Sequence, residues 1–195
     1  MTRYSSAHKA DSRVKILAAA AQLFRKKGFN QTGIDAVMSL AGLTAGAFYA
    51  HFDSKADLFS QTLARATAAG RTKLLAGLEN LPDPQWFSVA VKRYLSEVHR
   101  DDLAEGCAIP ALVSELARGD RKARKVFDQY VEEVEAAWGS RTPATAGFSG
   151  ADRALATFCL LVGGISLARA VHSKTLSDRI LRVCRRLALG DIQGS

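Results

Sequence analysis

Apolar residues recur at helical spacing through most of this chain, and the clearest example lies near its start. One buried helix face is indicated by apolar positions at i, i+4, i+7 and i+8 spacing: Ile16, Leu17, Ala20, Leu23 and Phe24. Asp11 or Ser12 is the predicted N-cap of this helix. The basic residues 25–27 suit its last turn, and Gly28 is the predicted stop. Residues 1–10 are polar and lack periodicity, which predicts a flexible basic arm.

Three further helical segments are predicted before residue 80. A short helix is expected over residues 34–40, ending at the Ala-Gly pair 41–42. Thr44 is the predicted cap of a third short helix. Residues 55–78 form a longer amphipathic stretch, which Gly70 weakens.

The pattern is interrupted at "NLPDP", residues 80–84, and resumes as a second series of helices. Asp83 and Pro84 predict the cap and first turn of a helix that continues to residue 99. The longest predicted loop covers residues 139–150. The remaining helices are predicted over residues 107–119, 120–138, 151–171 and 176–189.

These elements predict an all-α fold of about nine helices. Ala, Leu, Arg and Lys are abundant and favour helix, whereas alternating runs typical of strands are missing. Three short helices at the N-terminus have the dimensions of a helix-turn-helix domain, which we place at residues 1–55. A larger helical domain for ligand binding and dimerisation is expected at residues 56–195.

The net charge of +8 makes a polyanionic partner plausible, and its distribution is uneven. Residues 1–58 carry eight Lys or Arg against four Asp, a net of +4, and the other 137 residues share the remaining +4. The positive charge is therefore denser at the N-terminal end, as expected if that end contacts phosphate. The alternative is a basic surface that serves only solubility.

Cysteine usage and hydropathy indicate a reduced, cytoplasmic protein without a structural metal. The three Cys are widely and irregularly spaced, and neither a CxxC nor a His pair at ligand spacing occurs. No cofactor is expected. The N-terminus lacks the apolar segment of a secretory signal. The apolar stretch 154–168 is shorter than a membrane span, so we expect a buried helix and no membrane partner.

The segment "TAGAFYAHF", residues 44–52, combines two functions in one short helix. Phe48 and Phe52 are four residues apart and share a face that anchors the helix on its own core. The small first turn, residues 44–47, is expected to enter the major groove of DNA. Tyr49 and His51 lie off the Phe face, where each offers a donor to phosphate. Taken singly, each has a plain structural interpretation: a half-buried ring, a surface His.

Residues 28–59 resemble the DNA-binding segment of the TetR family of bacterial transcriptional regulators. The matching positions are Gly28, Phe29, Thr32, Ala41, Gly42, Thr44, Gly46, Tyr49, His51, Phe52, Lys55 and Leu58. The resemblance covers roughly residues 11–60 and implies a homodimer that binds an inverted-repeat operator in double-stranded DNA. It also implies release when a small-molecule effector occupies the C-terminal domain, the usual behaviour of a repressor.

The resemblance assigns roles to individual residues of this chain. Thr32, Tyr49, His51, Lys55 and the helix N-terminus at Thr44 are expected to hold phosphates. The residues expected nearest the bases are Ala45, Gly46 and Ala47.

Two positions depart from the family pattern, and the turn expected to face the bases has few side chains that can form hydrogen bonds. Gly33 stands where the family has a second Thr, so Thr32 is left to cap the second helix alone. Met38 replaces a usual Ala. Since Ala occupies the base-facing turn, specificity is expected to rely on thymine methyl contacts, DNA shape or the basic arm around Arg3 and Lys9.

The C-terminal helices are the expected site of dimerisation and effector binding. Helix 151–171 is apolar on more than one face, which favours a dimer interface over an ordinary buried helix in a monomer. The candidate interface residues are Phe158, Leu161, Gly163, Gly164, Leu167, Ile180 and Val183. The candidate effector-pocket residues, most of which also fit a plain core role, are Phe87, Tyr94, Cys107, Leu112, Phe127, Tyr130, Trp138 and Phe158.

Several other functions stay open from sequence. The segment 105–116 resembles a "GC" segment found in a subset of the family, and some such regulators sense electrophiles or oxidants through a Cys. Cys107 at a helix N-terminus near Arg100 would then have a lowered pKa; the alternative is a buried, inert thiol. An activator of the same family is a second possibility. A small all-α enzyme using Cys107 is a remote third, because only His99 is near in sequence and no hydrolase motif occurs, so no enzymatic activity is expected.

Overall fold

A computed structural model describes residues 6–103, 106–142, 144 and 147–190, with side chains from residue 8 onward. Within this part of the chain the secondary structure is helical, as predicted. The elements are α1 (Ser6–Gln31), α2 (Ile34–Leu40), a 3₁₀ helix η1 (Ala45–Ala50), α3 (Lys55–Leu75), α4 (Asp83–Tyr94), α5 (Glu97–Asp101), α6 (Ile109–Leu116), α7 (Arg121–Gly139), α8 (Gly150–Ala170) and α9 (Lys174–Leu189).

The first helix begins earlier than the sequence predicted. It starts at Ser6, so the second half of the expected arm is helical, while Arg3 lies outside the described residues. Asp11 and Ser12 are therefore not the N-cap. Asp11 pairs with Lys15 one turn later at 2.8 Å, and Ser12 is buried within the helix.

Gly28 interrupts this helix, as predicted. Its φ of 78° and ψ of 173° lie outside the helical region, and only the short turn up to Gln31 follows it. A side chain at this position would also collide with Glu115, whose Oε1 lies 2.6 Å from an ideal Cβ. The glycine is thus required both by the backbone conformation and by the approach of α6.

The helix-turn-helix has the predicted order with a different third helix. Gly42, with a φ of 72°, allows the sharp turn between α2 and η1. The third helix, η1, is six residues long and forms 3₁₀ rather than α structure. Its hydrogen bonds join residues three apart, such as Ala47 N–H to Thr44 O at 3.0 Å. Thr44 is the N-cap by position, but its side chain makes no capping hydrogen bond.

The predicted helix up to residue 99 is divided into α4 and α5. Leu95 leaves the helical region, and the hydroxyl of Ser96 caps α5 by accepting from His99 N–H at 3.1 Å. Asp83 lies inside the first turn of α4, whose N-cap is Pro82, so the predicted cap is also wrong by one residue.

Two clusters of buried apolar residues form the core. The first joins α1, α2, η1 and the start of α3 to α6, and the second lies among α4, α7, α8 and α9. Because the first cluster continues across residue 55 to Leu116, the helix-turn-helix and the base of the larger part share apolar packing. The domain boundary at residue 55 stays a prediction.

Helix α8 carries the long apolar stretch noted in the sequence. Among the described helices it alone is long and apolar enough to cross a membrane by length and composition, and 39% of its apolar window is buried. A core helix of a soluble protein passes the same test, so one such helix is weak evidence for a span. The helix packs against α7 on one side and α9 on the other.

Candidate functional site

The short helix η1 is fixed to the body of the protein by two phenylalanines. Phe48 and Phe52 are 0% and 2% exposed, and their ring centroids lie 5.8 Å apart. The guanidinium of Arg13 on α1 lies 4.5 Å from the centroid of the Phe52 ring and donates hydrogen bonds to the His51 carbonyl and to Gln61 on α3. The predicted anchoring face of η1 is therefore present, held by α1 and α3 together.

The opposite face of η1 is open to solvent. Thr44, Ala45 and Gly46 are exposed, Ala47 is half-buried, and Tyr49 is 72% exposed. The Tyr49 ring contacts Phe48 edge-on, with a centroid distance of 5.1 Å, so it stands on the anchored ring and projects outward. Tyr49 is thus a surface ring and not a half-buried core residue.

His51 ends η1 in a positively charged corner. Burial lowers the pKa of its imidazole, and the nearby charges of Lys9 and Arg13 lower it further. Its Nδ1 is buried and has no hydrogen-bond partner among the described residues. The ring is therefore neutral at pH 7, and the positive potential at this corner comes from Lys9 and Arg13.

Thr32 does not face the surface that the sequence predicted for it. The residue is 1% exposed, and its hydroxyl donates to the Gly28 carbonyl at 2.7 Å. The cap of α2 is Gly33, which has no side chain to accept a hydrogen bond. Thr32 therefore closes the turn after the α1 kink, and its hydroxyl is not available to a phosphate.

Lys55 is half-buried and already has partners within the protein. Its Nζ lies 4.4 Å from the centroid of the Phe29 ring and donates to the Asn30 carbonyl at 3.4 Å. Burial lowers the pKa of Lys55, while the Glu115 carboxylate raises it. The ammonium therefore sits beside the end of α1, at the edge of the open face of η1.

The amino end of α3 is occupied by the protein's own groups. Ser54 caps it by accepting from Asp57 N–H at 3.0 Å, and Asp57 is paired with Lys122 of α7. A carboxylate in the first turn satisfies part of the positive helix end, which makes it a weaker anion site than a free helix start. The ion pair also joins the start of α3 to α7.

A cavity of about 420 Å³ lies in the larger part of the molecule, between α3, α4, α5, α7 and α8. Five of the eight predicted pocket residues line it: Tyr94, Cys107, Tyr130, Trp138 and Phe158. Phe87 and Leu112 are not among the lining residues, and each is buried in one of the two core clusters. Phe127 is also outside the lining and stacks behind Tyr130 at 6.3 Å.

The sequence analysis missed the contribution of α3 and of the segment between α4 and α6. Unpredicted lining residues include Gly70, Arg71, Lys73, Leu74, Arg93, His99 and Asp102. Gly70 was the one visible signal: a glycine within an amphipathic helix that faces open space, where a Cβ would contact only Cys107 Cα at 3.9 Å.

His99 is locked in one tautomer at the inner end of the cavity. Its Nδ1 lies 2.6 Å from the Tyr94 carbonyl and donates to it, while Nε2 accepts from Cys107 N–H at 3.2 Å. Burial lowers the pKa of His99, which agrees with a neutral ring. Both nitrogens are occupied by backbone groups, so this imidazole is not placed to take a proton from the Cys107 thiol.

The expected activation of Cys107 is not found. Burial raises the pKa of its thiol, and the surface that the residue exposes belongs to the cavity wall. Arg100 does not lower the pKa of this thiol. The residue is 7% exposed, and its guanidinium donates to Asp101 at 2.7 Å and to Asp178 at 2.5 Å. The thiol is therefore protonated at neutral pH.

The predicted dimer residues divide between two faces of α8 and α9. Leu161 is 1% exposed and lines the cavity, Phe158 lines it as well, and a Cβ at Gly164 would meet Leu95 and Cys184 of the same chain, so these three residues face the interior. The remaining four are exposed or half-buried and fall on the outer face: Gly163, Leu167, Ile180 and Val183.

The outer face is a continuous apolar surface, which we call the α8–α9 face. On α8 its residues are spaced four apart, and on α9 they are spaced four, three and four apart, as expected for one side of each helix. It consists of Leu155, Cys159, Gly163 and Leu167 on α8 and of Leu176, Ile180, Val183 and Leu187 on α9.

Helix α6 connects the cavity to the helix-turn-helix. Helix α6 begins two residues after the cavity residue Cys107, and Glu115 near its end accepts a hydrogen bond from Phe29 N–H at 2.5 Å. The Phe29 ring lies under the Lys55 ammonium. A displacement of α6 would therefore be transmitted to the kink of α1 and to the neighbourhood of η1.

Comparison with known proteins agrees with this geometry. Residues 16–62 match the family model described as bacterial regulatory proteins of the tetR family. The transcriptional repressor BepR of Brucella suis is 41% identical over 64 residues, which cover 33% of this chain and 31% of BepR. The chain thus matches less than a third of that relative's length.

Two further similarities extend over most of the chain. The transcriptional regulator LmrA of Bacillus subtilis is 24% identical over 169 residues, covering 85% of this chain and 90% of LmrA. The crystal structure of Escherichia coli NemR in its reduced form has a TM-score of 0.77 at 21% identity, covering 93% of this chain and 96% of that one. Residues 16–62 therefore carry the sequence pattern of the tetR family of bacterial regulatory proteins, and the chain as a whole shares the fold of NemR.

Proposed function

We propose that this chain is a ligand-responsive regulator of transcription, a homodimer that represses by binding an inverted-repeat operator. The single observation that carries the proposal is the two-sided η1 helix. Its Phe48–Phe52 side is fixed against α1 and α3, and its other side presents Tyr49 and a small first turn to solvent. A rigid, exposed, small-residue helix beside a basic corner fits the major groove and its phosphates.

Within this proposal the η1 residues divide by chemistry. Tyr49 and His51 bind phosphate through ring donors, and Thr44, Ala45, Gly46 and Ala47 lie against base edges. Lys55 adds a charge at the rim of the same face. The relatives support the repressor role, since BepR is named a transcriptional repressor.

Dimerisation follows from the α8–α9 face in this proposal. An apolar stripe on two adjacent helices is unfavourable in water and suits a four-helix contact with a second copy. Two-fold symmetry would place two η1 helices at successive major grooves, so the operator would be an inverted repeat. Such a regulator acts in the cytoplasm and without enzymatic activity.

The cavity supplies the response to an effector in the proposed mechanism. A ligand between α3, α4 and α7 would press on Cys107 at the start of α6, and Glu115 at its other end would move the α1 kink. The two η1 helices would then lose the spacing that the operator requires. Regulation in this scheme is a difference in ligand affinity between the DNA-bound and free conformations.

The test is selection of bound fragments from sheared genomic DNA of the source organism, sequenced at two salt concentrations. One or a few inverted repeats should survive at the higher salt, because base contacts persist when phosphate contacts are screened. A Tyr49→Ala, His51→Ala double variant is the matched control and should recover none of them. Binding that is sequence-blind and lost at the higher salt would remove the proposal of an operator-specific regulator.

A Cys107-based sensor or enzyme is less well supported. The raised pKa of the Cys107 thiol and the fully occupied His99 ring leave it without an activating base. Iodoacetamide labelling of the folded protein separates the cases: Cys107 should react no faster than a free thiol, and faster labelling would restore the sensor.

A further inference from the structure

The cavity has an apolar inner wall and a cationic rim. Its inner side is formed by aromatic and aliphatic side chains from α4, α7 and α8. At the rim, Arg71 and Lys73 of α3 and Arg93 of α4 stand against a single lining carboxylate, Asp102. An uneven charge of this kind around an apolar space favours ligands that carry the opposite charge at one end.

The rim cations are held loosely enough to be shared with a ligand. Arg71 pairs with Glu133 at 2.6 Å and Lys73 with Asp102 at 2.9 Å, and their side chains are 34% and 63% exposed. Exposed pairs of this type contribute little to stability, so a ligand anion can join or replace the carboxylate at small cost. Arg93 donates to the Leu74 and Ala76 carbonyls and braces the rim.

The inner end offers one poorly satisfied polar group. Tyr94 is 5% exposed and lines the cavity, and its hydroxyl lies against the Cys107 thiol, a weak hydrogen-bonding group, without a nitrogen or oxygen partner among the described residues. Burial raises the pKa of Tyr94 well above its usual value, and the neighbouring Cys107 raises it further, so the phenol is neutral. A buried hydroxyl with only a thiol beside it keeps unused hydrogen-bonding capacity, which a ligand oxygen in the cavity can take up.

A fourth cation lies behind this inner end. Arg169 of α8 donates to the His99 carbonyl at 2.8 Å and to the Arg100 carbonyl at 2.9 Å, and its charge acts on Tyr94, His99 and Cys107. Arg169 does not line the cavity, but its charge adds to the positive potential at the inner wall. The cavity therefore disfavours cationic ligands at both ends.

We propose that the cavity binds an amphipathic organic anion. Its aromatic or aliphatic body fills the apolar space, a hydroxyl or carbonyl oxygen meets the Tyr94 hydroxyl, and a carboxylate lies at the rim with Arg71 and Lys73. The identification of this anion as the effector rests on the proposed regulatory function, whereas its binding does not.

Three naphthalenes that differ by one group each test the assignment by titration calorimetry on the full chain without DNA. 6-Hydroxy-2-naphthoate carries both polar groups, 2-naphthoate lacks the hydroxyl, and 2-naphthol lacks the carboxylate. We expect the first to bind about tenfold more tightly than 2-naphthol and several-fold more tightly than 2-naphthoate. If 2-naphthol binds as tightly as the hydroxy acid, the anionic assignment is wrong.

Matched variants connect each ligand group to its residue. Arg71→Gln with Lys73→Gln should weaken both acids about tenfold and leave 2-naphthol unchanged, while Arg65→Gln, an exposed cation on α3 outside the cavity, should change none. Tyr94→Phe should remove the advantage of the hydroxy acid over 2-naphthoate. An advantage that survives Tyr94→Phe overturns the role of that hydroxyl.

Gly70→Leu locates the binding site, since the new side chain would enter the cavity from α3 while favouring the helix. It should abolish binding of all three compounds, and undiminished binding would place them outside the cavity. Operator binding by the ligand-free chain is measured separately. If the ligand ranking fails while operator binding is intact, only this inference falls. If the ranking holds but no operator is bound, the proposed function falls and the anion site stands.

Discussion

At the scale of single residues, Tyr49 shows how a side chain can be both anchored and free. Its ring contacts the buried Phe48 edge-on, and most of its surface faces solvent. This geometry fixes the ring direction without burying the hydroxyl, which is the requirement for a phosphate contact that costs little side-chain entropy.

Tyr49→Phe should weaken operator binding by about three- to tenfold, the value of about 0.7–1.4 kcal/mol for one hydrogen bond. Because phosphates carry no sequence information, the loss should be the same for the operator and for single-base variants of it. Fluorescence anisotropy with a set of operator duplexes measures this. A loss confined to one base variant would mean that Tyr49 reads a base.

Lys55→Met removes the charge at the edge of the open η1 face and keeps an apolar side chain over the Phe29 ring. The slope of log affinity against log salt should become shallower by about one unit, because one fewer counterion is released. Anisotropy titrations at four salt concentrations give the slope. Lys125→Met, an exposed cation on α7, is the control and should leave it unchanged.

The sequence predicts whether a side chain is buried or exposed where helical spacing alone determines it. Phe48 and Phe52 are four residues apart, and both are buried as that spacing predicts, although Phe52 lies two residues beyond the end of η1. Spacing could not predict the role of Thr32. Its hydroxyl donates to the carbonyl of Gly28, where the backbone leaves the helical conformation. A local backbone conformation, invisible in the hydrophobic pattern, decided that role.

At the scale of elements, periodicity predicted the helices better than their ends and contacts. The helix at 34–40 was placed correctly, but α4 and α5 appeared as one helix because the Ser96 cap does not disturb the apolar spacing. Three of the seven predicted dimer residues face the interior of the chain, and three of the eight predicted pocket residues do not line the cavity. A helix such as α8 is apolar all round, so only its neighbours distinguish the cavity side from the outer side.

Helix α6 is one of the elements that join the two parts, and Glu115 is its contact with the α1 kink. Glu115→Ala should lower the free energy of unfolding by about 1–2 kcal/mol, because Phe29 N–H loses a charged acceptor in a half-buried place. Glu115→Gln, which keeps an acceptor oxygen, should recover most of this loss. Urea unfolding followed by circular dichroism gives the comparison, and equal losses in the two variants would contradict the role of the hydrogen bond.

At the scale of the whole molecule, the α8–α9 face is the surface on which the proposed dimer depends. Leu167 is 59% exposed and Leu187 54%, and both stand in stripes that run the length of their helices. In the proposed dimer these stripes set the distance between the two η1 helices, since each subunit contacts the other through α8 and α9. In this proposal dimerisation and operator recognition are coupled through geometry, although the two surfaces share no residue.

Leu167→Glu tests this coupling, because a charge that is harmless on a monomer surface is costly when a second copy covers it. Light scattering after gel filtration should show a mass near 21.0 kDa for the variant and twice that value for the parent chain. Val98→Glu, an 81% exposed apolar position on α5, is the control and should stay dimeric. A monomeric variant should also lose the inverted repeat while keeping weak half-site binding, since η1 itself is untouched. If the parent chain is already monomeric, or if the variant binds the full operator normally, the two-fold arrangement is wrong and the operator must be read by one copy at a time.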